Sequence, residues 1–349
     1  MVSDGNLRLS DEFQNNASAD TKKRVVIFTS GSLVAHQHMN DLLPFFEQQG
    51  VEPVVLVTPG SKSPRAKIPS LSMFEFYDST ILEDVVFPTL EEQKSGNRLS
   101  PTFNELMKRH SVSYQYIDSL KDPAVMEAIN APGTIGAISI YQDSIFKPDL
   151  IDAIQQKGFF WNLHPAVLPG NQGLYVIFWT MMKGEQEQNN GYTLHEVDEG
   201  IDTGRIICTA SGPIDKSKSV FESYVDFSSM GSELVKKAFS QYMREGTVDY
   251  ATRGPETPTY YTFPTEEDIK RGWEKGVRLW GTPDEMLDIY TRIFGNDKIL
   301  VERLKDALAT AEETARSMQV GPQATGLPPL PPPSPNTGRS NFGAGGPAA

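Results

Sequence analysis

Residues 24–32 read RVVIFTSGS, and the apolar run VVIF at residues 25–28 decides the fold. A short run of apolar, mostly β-branched residues is typical of a strand that is buried on both faces of a sheet. The small residues at 29–32 predict a tight loop after this strand. A helix is predicted from about residue 39 to residue 49, and a second apolar strand at 53–57. Strand, helix and strand in this order predict a βαβ unit.

The same alternation continues along the chain. Further strands are predicted at residues 113–117, 134–140, 159–163, 191–195 and 205–209, and further helices at residues 102–110, 125–129, 148–156, 220–244 and 299–318. Thr265 is expected to cap one more helix. This order predicts an open α/β fold, in which sites lie beyond the carboxyl ends of the strands.

One segment departs from the alternation. Residues 59–100 are rich in proline, serine and charge, and they are predicted to be an insertion near the rim of the sheet. Within it, a short apolar-periodic piece at residues 81–87 is expected to end at Pro88, because proline lacks the backbone N–H that a helix interior needs.

Four segments are expected. A flexible leader at 1–23 precedes a main α/β domain at 24–215, which is followed by a helical, substrate-side region at 216–318 and a Pro/Gly-rich tail at 319–349. The tail is expected to be disordered and solvated, with binding to a proline-reading domain as the alternative. The leader lacks the apolar core of a secretory signal, and no stretch has the ~20 apolar residues of a membrane span. A cytoplasmic protein without membrane contact is expected.

Composition limits the partners. The chain has 349 residues, of which 38% are hydrophobic, and its formal net charge is −13. Such a balance argues against a nucleic-acid partner, because phosphate binding requires clustered Lys and Arg. It is compatible with a cationic small substrate. Cys208 is the only cysteine, which excludes a disulfide framework and a cysteine metal site. The oligomeric state is left open, with a homo-oligomer as one possibility.

Two polar residues stand at the end of a predicted strand. In Trp161-Asn162-Leu163-His164-Pro165, Asn162 and His164 are two positions apart, so their side chains point to the same face of the strand. An amide and a protonated imidazole that converge on one point suit an oxyanion that develops during a reaction. The structural alternative is a strand-end histidine bonded to a backbone carbonyl.

A second segment carries acids. Residues 191–195 alternate as a strand that ends at His195, and the following loop reads EVDEGIDTG at 196–204. Asp202 is a candidate to lie beside His164, where its charge would favour the imidazolium. Asp202 as a simple turn residue is the alternative. A supporting role that holds the loop is expected for His195.

These residues form a recognisable pattern, Asn162-x-His164-Pro165-x-x-Leu168-Pro169, followed about thirty residues later by Gly191-x-Thr193-x-His195 and Asp202. The pattern resembles the signature of the 10-formyltetrahydrofolate-dependent formyltransferases, which act on glycinamide ribonucleotide, methionyl-tRNA, amino sugars or hydroxyornithine. The resemblance covers roughly residues 24–215 and is greatest to the hydroxyornithine enzymes of siderophore synthesis.

The resemblance implies a Rossmann-like, mostly parallel sheet with helices on both faces. It implies that Asn162, His164 and Asp202 are catalytic, without a metal, and that the formyl donor is 10-formyltetrahydrofolate and the acceptor a small-molecule amine. The implied pterin pocket is lined by Ser144, Ile145, Phe146, Leu168, Pro169, Val197, Asp198, Glu199 and Ile201. Many members have an Arg where this chain has Gln172, which bears on the acceptor more than on the reaction.

Three other functions are considered. A folate-dependent deformylase would use the same three residues with water in place of the amine. A metal-dependent amidohydrolase would use His36, His38, His164, His195 and Asp202. Its barrel would place the last His and the Asp on different strands, and here they are seven residues apart. A nucleotide-binding module is disfavoured because TSGS at 29–32 has neither the G-x-G-x-x-G pattern nor a P-loop lysine.

Overall fold

The computed structural model describes residues 22–58, 67–93, 98–184, 190–254 and 257–321. The leader and the tail expected from the sequence lie almost entirely outside these residues. Among the described residues, no helix is both long enough and apolar enough to cross a membrane.

A seven-stranded sheet forms the centre of the molecule. Its spatial order is β3-β2-β1-β4-β5-β7-β8, and the strands are β1 (Arg24–Ser30), β2 (Glu52–Thr58), β3 (Ser113–Tyr116), β4 (Thr134–Ile140), β5 (Phe159–His164), β7 (Gly191–Glu196) and β8 (Ile206–Ser211). The five strands from β3 to β5 pair in parallel, whereas β7 is antiparallel to both β5 and β8. The predicted open, mostly parallel α/β sheet is therefore confirmed.

A second, two-stranded sheet joins distant parts of the chain. The strand β6 (Gln172–Gly173) pairs in parallel with β9 (Tyr260–Tyr261). Neither strand was predicted, because two residues carry no recognisable periodicity. This pairing brings the segment near residue 260 against the loop that follows β5.

Eleven helices are found in the described residues. They are α1 (Leu33–Gln48), α2 (Pro69–Glu75), α3 (Phe87–Glu92), α4 (Phe103–Arg109), α5 (Pro123–Asn130), α6 (Pro148–Gln155), α7 (Val176–Lys183), α8 (Val220–Glu245), α9 (Glu266–Glu274), α10 (Pro283–Phe294) and α11 (Lys298–Ser317). Helix α1 begins at Leu33, earlier than the predicted residue 39, because the Ser32 hydroxyl accepts from the Ala35 amide at 3.1 Å and caps it. The cap predicted at Thr265 is present and forms a capping box with Asp268.

The prediction for residues 59–100 was wrong in its central part. Helix α2, two π-helical segments (Phe76–Thr80 and Leu82–Val86) and α3 follow one another, so residues 69–92 are helical almost throughout. Pro88 does not end this stretch, because it stands in the first turn of α3, where its missing N–H is tolerated. The stretch is part of the core and not a rim insertion.

Both faces of the sheet are covered. Side chains of α1, α4 and α8 pack with one face, and those of α5 and α6 with the other. A third apolar cluster joins residues 69–92 to α7, the start of α8 and the helices α9, α10 and α11. This cluster holds the C-terminal helices beside the carboxyl end of β5, where the candidate site lies.

Candidate active site

The strand pairing places three polar side chains together. Asn162 and His164 lie in β5, and the antiparallel register sets Asn162 directly opposite His195 of β7. His164 is opposite Thr193, whose hydroxyl donates to the Ala166 carbonyl at 2.7 Å and fixes the loop after β5. Both histidines are buried, so their ring nitrogens need partners within the protein.

Asp202, in the loop between β7 and β8, is the common partner of this cluster. Its Oδ2 lies 3.5 Å from His164 Nδ1, and its Oδ1 lies 3.4 Å from both His195 Nε2 and Asn162 Nδ2. The structure thus brings together Asn162, His164 and Asp202, the three residues that the sequence singled out, and adds His195 to them.

Asp202 is held by donors from two other segments. The Gly173 amide donates to its Oδ2 at 2.8 Å. The Gln172 side chain and Arg253 Nη2 both donate to its backbone carbonyl, at 2.9 and 3.0 Å. Its φ of 54° is in the left-handed region, which Asp adopts more readily than most residues. Gln172, noted in the sequence as a departure, therefore contacts the candidate catalytic loop itself.

The hydrogen bonds of His164 fix its tautomer. Nε2 lies 2.7 Å from the Asn171 carbonyl oxygen, which only accepts, so Nε2 carries a proton. Nδ1 then faces the Asp202 carboxylate. Burial is the largest influence and lowers the pKa of His164, although the charge of Asp202 acts in the opposite direction. The carboxylate favours the imidazolium, as expected, whereas burial favours the neutral imidazole.

Asp202 itself is ionised. Burial alone would raise the pKa of this carboxyl, but His164, His195 and the Gly173 amide together lower it to about 2. A permanent negative charge therefore lies beside Nδ1 of His164 and would stabilise a proton taken up there.

His195 has a different set of partners. Its Nδ1 donates to the Glu196 carbonyl oxygen at 2.7 Å, which leaves Nε2 to accept from Asn162 Nδ2 at 3.1 Å. These two bonds orient the Asn162 amide, and a holding role for His195 fits them.

The cluster lies in a cavity of about 440 Å³. The cavity is lined by most of the residues proposed from the sequence for the pterin pocket, namely Ser144, Ile145, Phe146, Val197, Asp198, Glu199 and Ile201. Leu168 and Pro169 are not among the lining residues. Leu168 is buried in the core, and its amide donates to the Thr193 hydroxyl at 3.1 Å, so its contribution is to the shape of the loop.

Sequence reasoning missed a set of aromatic lining residues. They are Phe74, Tyr141, Tyr175, Tyr224, Tyr260 and Phe263. They come from five segments far apart in the sequence, so no local spacing connects the whole set. Only the assignment of residues 216–318 to the substrate side pointed toward three of them.

Two histidines of the metal-hydrolase alternative lie outside the cavity. His36 and His38 are buried in α1, where they bond the hydroxyls of Ser100 and Ser232 at 3.2 and 3.0 Å. Neither lines the cavity. Within the described ranges, no three His, Cys, Asp or Glu side chains are grouped as a metal would require.

An open α/β sheet with an Asn–His–Asp cluster in a cavity beyond its strand ends defines a class of protein suited to acid–base chemistry on a small molecule. Residues 119–238 match the model of the formyl transferase family. Over this segment the chain is similar to the formyltransferases.

Individual relatives are distant. The methionyl-tRNA formyltransferase of Ruminiclostridium cellulolyticum is 23% identical over 62% of this chain and 68% of its own length. That of Pelobacter propionicus is 24% identical over 62% of this chain and 66% of its own length. The chain thus spans about two thirds of these relatives. The crystal structure of a 4-N formyltransferase from Francisella tularensis aligns with a TM-score of 0.47 and 15% identity, over 71% of this chain and 78% of that one.

Proposed function

We propose that this protein is an N-formyltransferase that moves a formyl group from 10-formyltetrahydrofolate to the amine or hydroxylamine nitrogen of a small metabolite. The acceptors to test first are N5-hydroxyornithine and amino sugars. One observation carries the proposal: Asn162, His164 and His195 all lie within 3.5 Å of the Asp202 carboxylate, in a cavity. The family match supports the reaction class.

One side of the cavity fits the formyl donor. A pterin offers both hydrogen-bonding edges and an apolar face. The segment 142–146 and the loop 197–201 supply polar and apolar contacts on this side. The Gln142 side-chain nitrogen is buried without a hydrogen-bond partner among the described residues, so it is available to donate to a bound ring. These residues are assigned to binding of the donor. The donor supplies the formyl carbon and leaves as tetrahydrofolate.

The proton transfers are assigned to the cluster. His164 in its neutral form takes a proton at Nδ1 from the attacking amine, because its Nε2 already carries a proton and its Nδ1 faces the ionised Asp202. The imidazolium then returns the proton to the departing nitrogen, so the cluster ends as it began. Asn162 exchanges its long bond to Asp202, at 3.4 Å, for one to the formyl oxygen as negative charge develops there.

The acceptor side is assigned to the opposite half of the cavity, which the C-terminal region completes. Tyr224 of α8, Tyr260 of β9 and Phe263 all line it. This assignment keeps the expectation that residues 216–318 are a substrate-side region.

The test is incubation with 10-formyltetrahydrofolate and a panel of amines, with mass spectrometry for a gain of one formyl group. Formate release without acceptor would indicate the deformylase instead. Loss of activity with EDTA and its return with zinc would favour the metal hydrolase.

A further inference from the structure

One short segment forms part of the acceptor side of the cavity. Residues 259–263, which we call the cover segment, contribute Tyr260, Thr262 and Phe263 to the lining. Tyr260 is 50% exposed, so the cover segment lies at the surface of the molecule. Two of its rings belong to the aromatic wall of the cavity, which consists of Phe74, Tyr141, Tyr175, Tyr224, Tyr260 and Phe263.

The backbone of the cover segment is paired over a very short distance. The backbone amide of Gln172 donates to the Thr259 carbonyl at 2.9 Å, and the amide of Leu174 donates to the Tyr261 carbonyl at 3.0 Å. An isolated pair of strands is at best marginally stable in water, and each of these strands has only two residues. The cover segment therefore needs side-chain contacts to stay against β6.

Trp179 of α7 supplies such contacts from outside the cavity. Its ring stacks on that of Tyr261, with centroids 5.5 Å apart and planes inclined by 14°. Its Nε1 donates to the Thr262 carbonyl at 3.1 Å. Lys183, one turn further along α7, places its Nζ 4.9 Å from the centroid of the same tyrosine ring. The two side chains of α7 thus hold the cover segment without lining the cavity.

The strand β6 connects the cover segment to the catalytic cluster. Gly173 lies so close to the segment that a Cβ atom at this position would be 2.1 Å from the Tyr261 carbonyl oxygen. The amide of Gly173 donates to Asp202 Oδ2 at 2.8 Å, and the Gln172 side chain donates to the Asp202 carbonyl at 2.9 Å. A displacement of the cover segment would therefore reach Asp202 through two residues.

The donor side of the cavity has anchors of its own. The Val197 amide donates to the Phe160 carbonyl at 2.9 Å, and the Thr203 hydroxyl donates to Asp198 Oδ1 at 2.6 Å. Neither hydrogen bond involves the cover segment. Its displacement should disturb the acceptor side and Asp202 and leave binding of the donor intact.

We propose that Trp179 is a positioning residue: its contacts with Tyr261 and Thr262 keep the cover segment against β6, and this arrangement sets both the acceptor side of the cavity and the Asp202 carboxylate. The inference rests on the proposed formyl transfer and adds to it a residue that lies outside the cavity. By linkage, an acceptor that binds against the cover segment also stabilises β6 and keeps Asp202 beside His164.

Hydrogen exchange tests the positioning role without any reaction. In Trp179→Leu we expect the backbone amides of Gln172, Gly173 and Leu174 to exchange about tenfold faster, because loss of a ring pair and a hydrogen bond favours local opening. Amides of β1 should keep their rates. Unchanged rates at the three amides, or an equal acceleration in β1 that indicates a general loss of stability, would overturn the inference.

Three further variants grade and control this effect. Trp179→Phe keeps a ring and loses the N–H donor, and Lys183→Met loses only the cation above the ring, so both should accelerate the same amides by less. Tyr114→Leu is the matched control, because Tyr114 also combines a ring contact, to Phe103 at 5.6 Å, with a hydrogen bond, to Asn104 at 2.6 Å. It lies in β3 and should leave the three amides unaffected.

Kinetics separate positioning from a general defect of the cavity. With 10-formyltetrahydrofolate as donor and N5-hydroxyornithine as acceptor, Trp179→Leu should raise the acceptor KM and lower kcat, each several-fold. Binding of 5-formyltetrahydrofolate, a donor analogue, should stay unchanged when measured by calorimetry. Weaker binding of this analogue in parallel with the kinetic losses would overturn the positioning role, as would unchanged kcat and KM.

Failure of the proposed function and failure of this inference give different results. If the unsubstituted protein formylates neither N5-hydroxyornithine nor an amino sugar, transfer to these acceptors is overturned, and the exchange rates at residues 172–174 still decide the role of Trp179. If the unsubstituted protein formylates an acceptor and Trp179→Leu leaves those rates unchanged, only the inference fails.

Discussion

The cavity has a polar floor and an aromatic wall, and they differ in how the chain builds them. The floor consists of Asn162, His164, His195 and Asp202, which come from two paired strands and the loop after them. The wall draws on five segments spread from Phe74 to Phe263. Strand geometry fixes the floor, whereas packing across the whole molecule fixes the wall. The comparison suggests that the reaction belongs to the floor and the choice of acceptor to the wall.

The largest expected effect is at the centre of the floor. Asp202→Asn removes the charge that stabilises a proton on His164, and we expect turnover to fall by about 10³-fold or more, as for the orienting carboxylate of a catalytic triad. The carboxylate also raises the pKa of His164, so its loss should move the acid limb of the pH profile to lower pH. Turnover against pH is the measurement, with donor binding checked separately.

The control for Asp202→Asn is Glu196→Gln. Glu196 lies in the same region but pairs with Arg205 at 2.7 Å and does not line the cavity. Neutralising it should change stability by no more than about 0.5 kcal/mol, as at other surface sites, and should leave turnover unaffected. Similar, mild losses of turnover in both variants would exclude Asp202 from the mechanism. Asp202 would then be a structural turn residue.

The next largest effects concern the two strand-end residues. Asn162→Ala and His164→Ala should each lower turnover by about 10²–10³, the range for loss of an oxyanion donor or a general base. Binding of the donor should persist, because its assigned contacts lie at segment 142–146 and loop 197–201. His110→Ala is a suitable control, since His110 bonds Glu47 on the surface. Near-normal turnover in either variant would exclude that residue from the chemistry.

The pH profile of the unsubstituted protein tests the assignment of His164 as the acceptor of the amine proton. His164 must be neutral to accept the amine proton, and burial lowers its pKa below the usual 6.5. Activity should therefore be retained as pH falls through 6.5 and be lost only at lower pH. An acid limb above 6.5 in kcat/KM, with an acceptor of constant charge, would contradict the neutral resting state.

The sequence predicts the polar floor of the cavity much better than its aromatic wall. The strands of the sheet were located because each is a local run with a clear apolar pattern, and Asn162 and His164 were placed on one face by a spacing of two. Helix α7 was missed because VIFWTMMK is apolar on nearly every side and has no amphipathic period. The wall was missed because residues such as Tyr260 reach the cavity only through the β6–β9 pairing.

A stability prediction concerns the buried histidines outside the floor. Burial lowers the pKa of His36 to about 4 and that of His38 to about 3. Below pH 6.5 the unfolded chain binds protons that the folded chain does not, so the free energy of unfolding should fall as pH decreases from 6.5 to about 4. Each histidine contributes a slope of up to about 1.4 kcal/mol per pH unit.

Denaturant unfolding between pH 4 and 7 measures this slope. The variants His36→Gln and His38→Gln remove one titrating group each and should flatten the curve. A third variant carries both substitutions. If the unsubstituted protein and this variant show the same slope of unfolding free energy against pH, neither buried imidazole contributes to the acid sensitivity.

The smallest expected effect lies at the border between floor and wall, where Gln172 and Arg253 both donate to the Asp202 carbonyl. Loss of one donor leaves the other, so Gln172→Leu or Arg253→Ala should lower kcat only several-fold, in line with a single hydrogen bond of about 1 kcal/mol. The double variant should lose more than the product of the single losses, because Asp202 then keeps only its side-chain contacts.

KM for the acceptor should stay constant if these residues position Asp202 and do not contact the acceptor. Arg205→Ala removes a nearby exposed guanidinium that bonds Glu196 instead, and it should change neither parameter. A rise in acceptor KM with unchanged kcat would move Gln172 from the floor to the acceptor side, which is the effect that the sequence comparison with arginine-bearing relatives predicted.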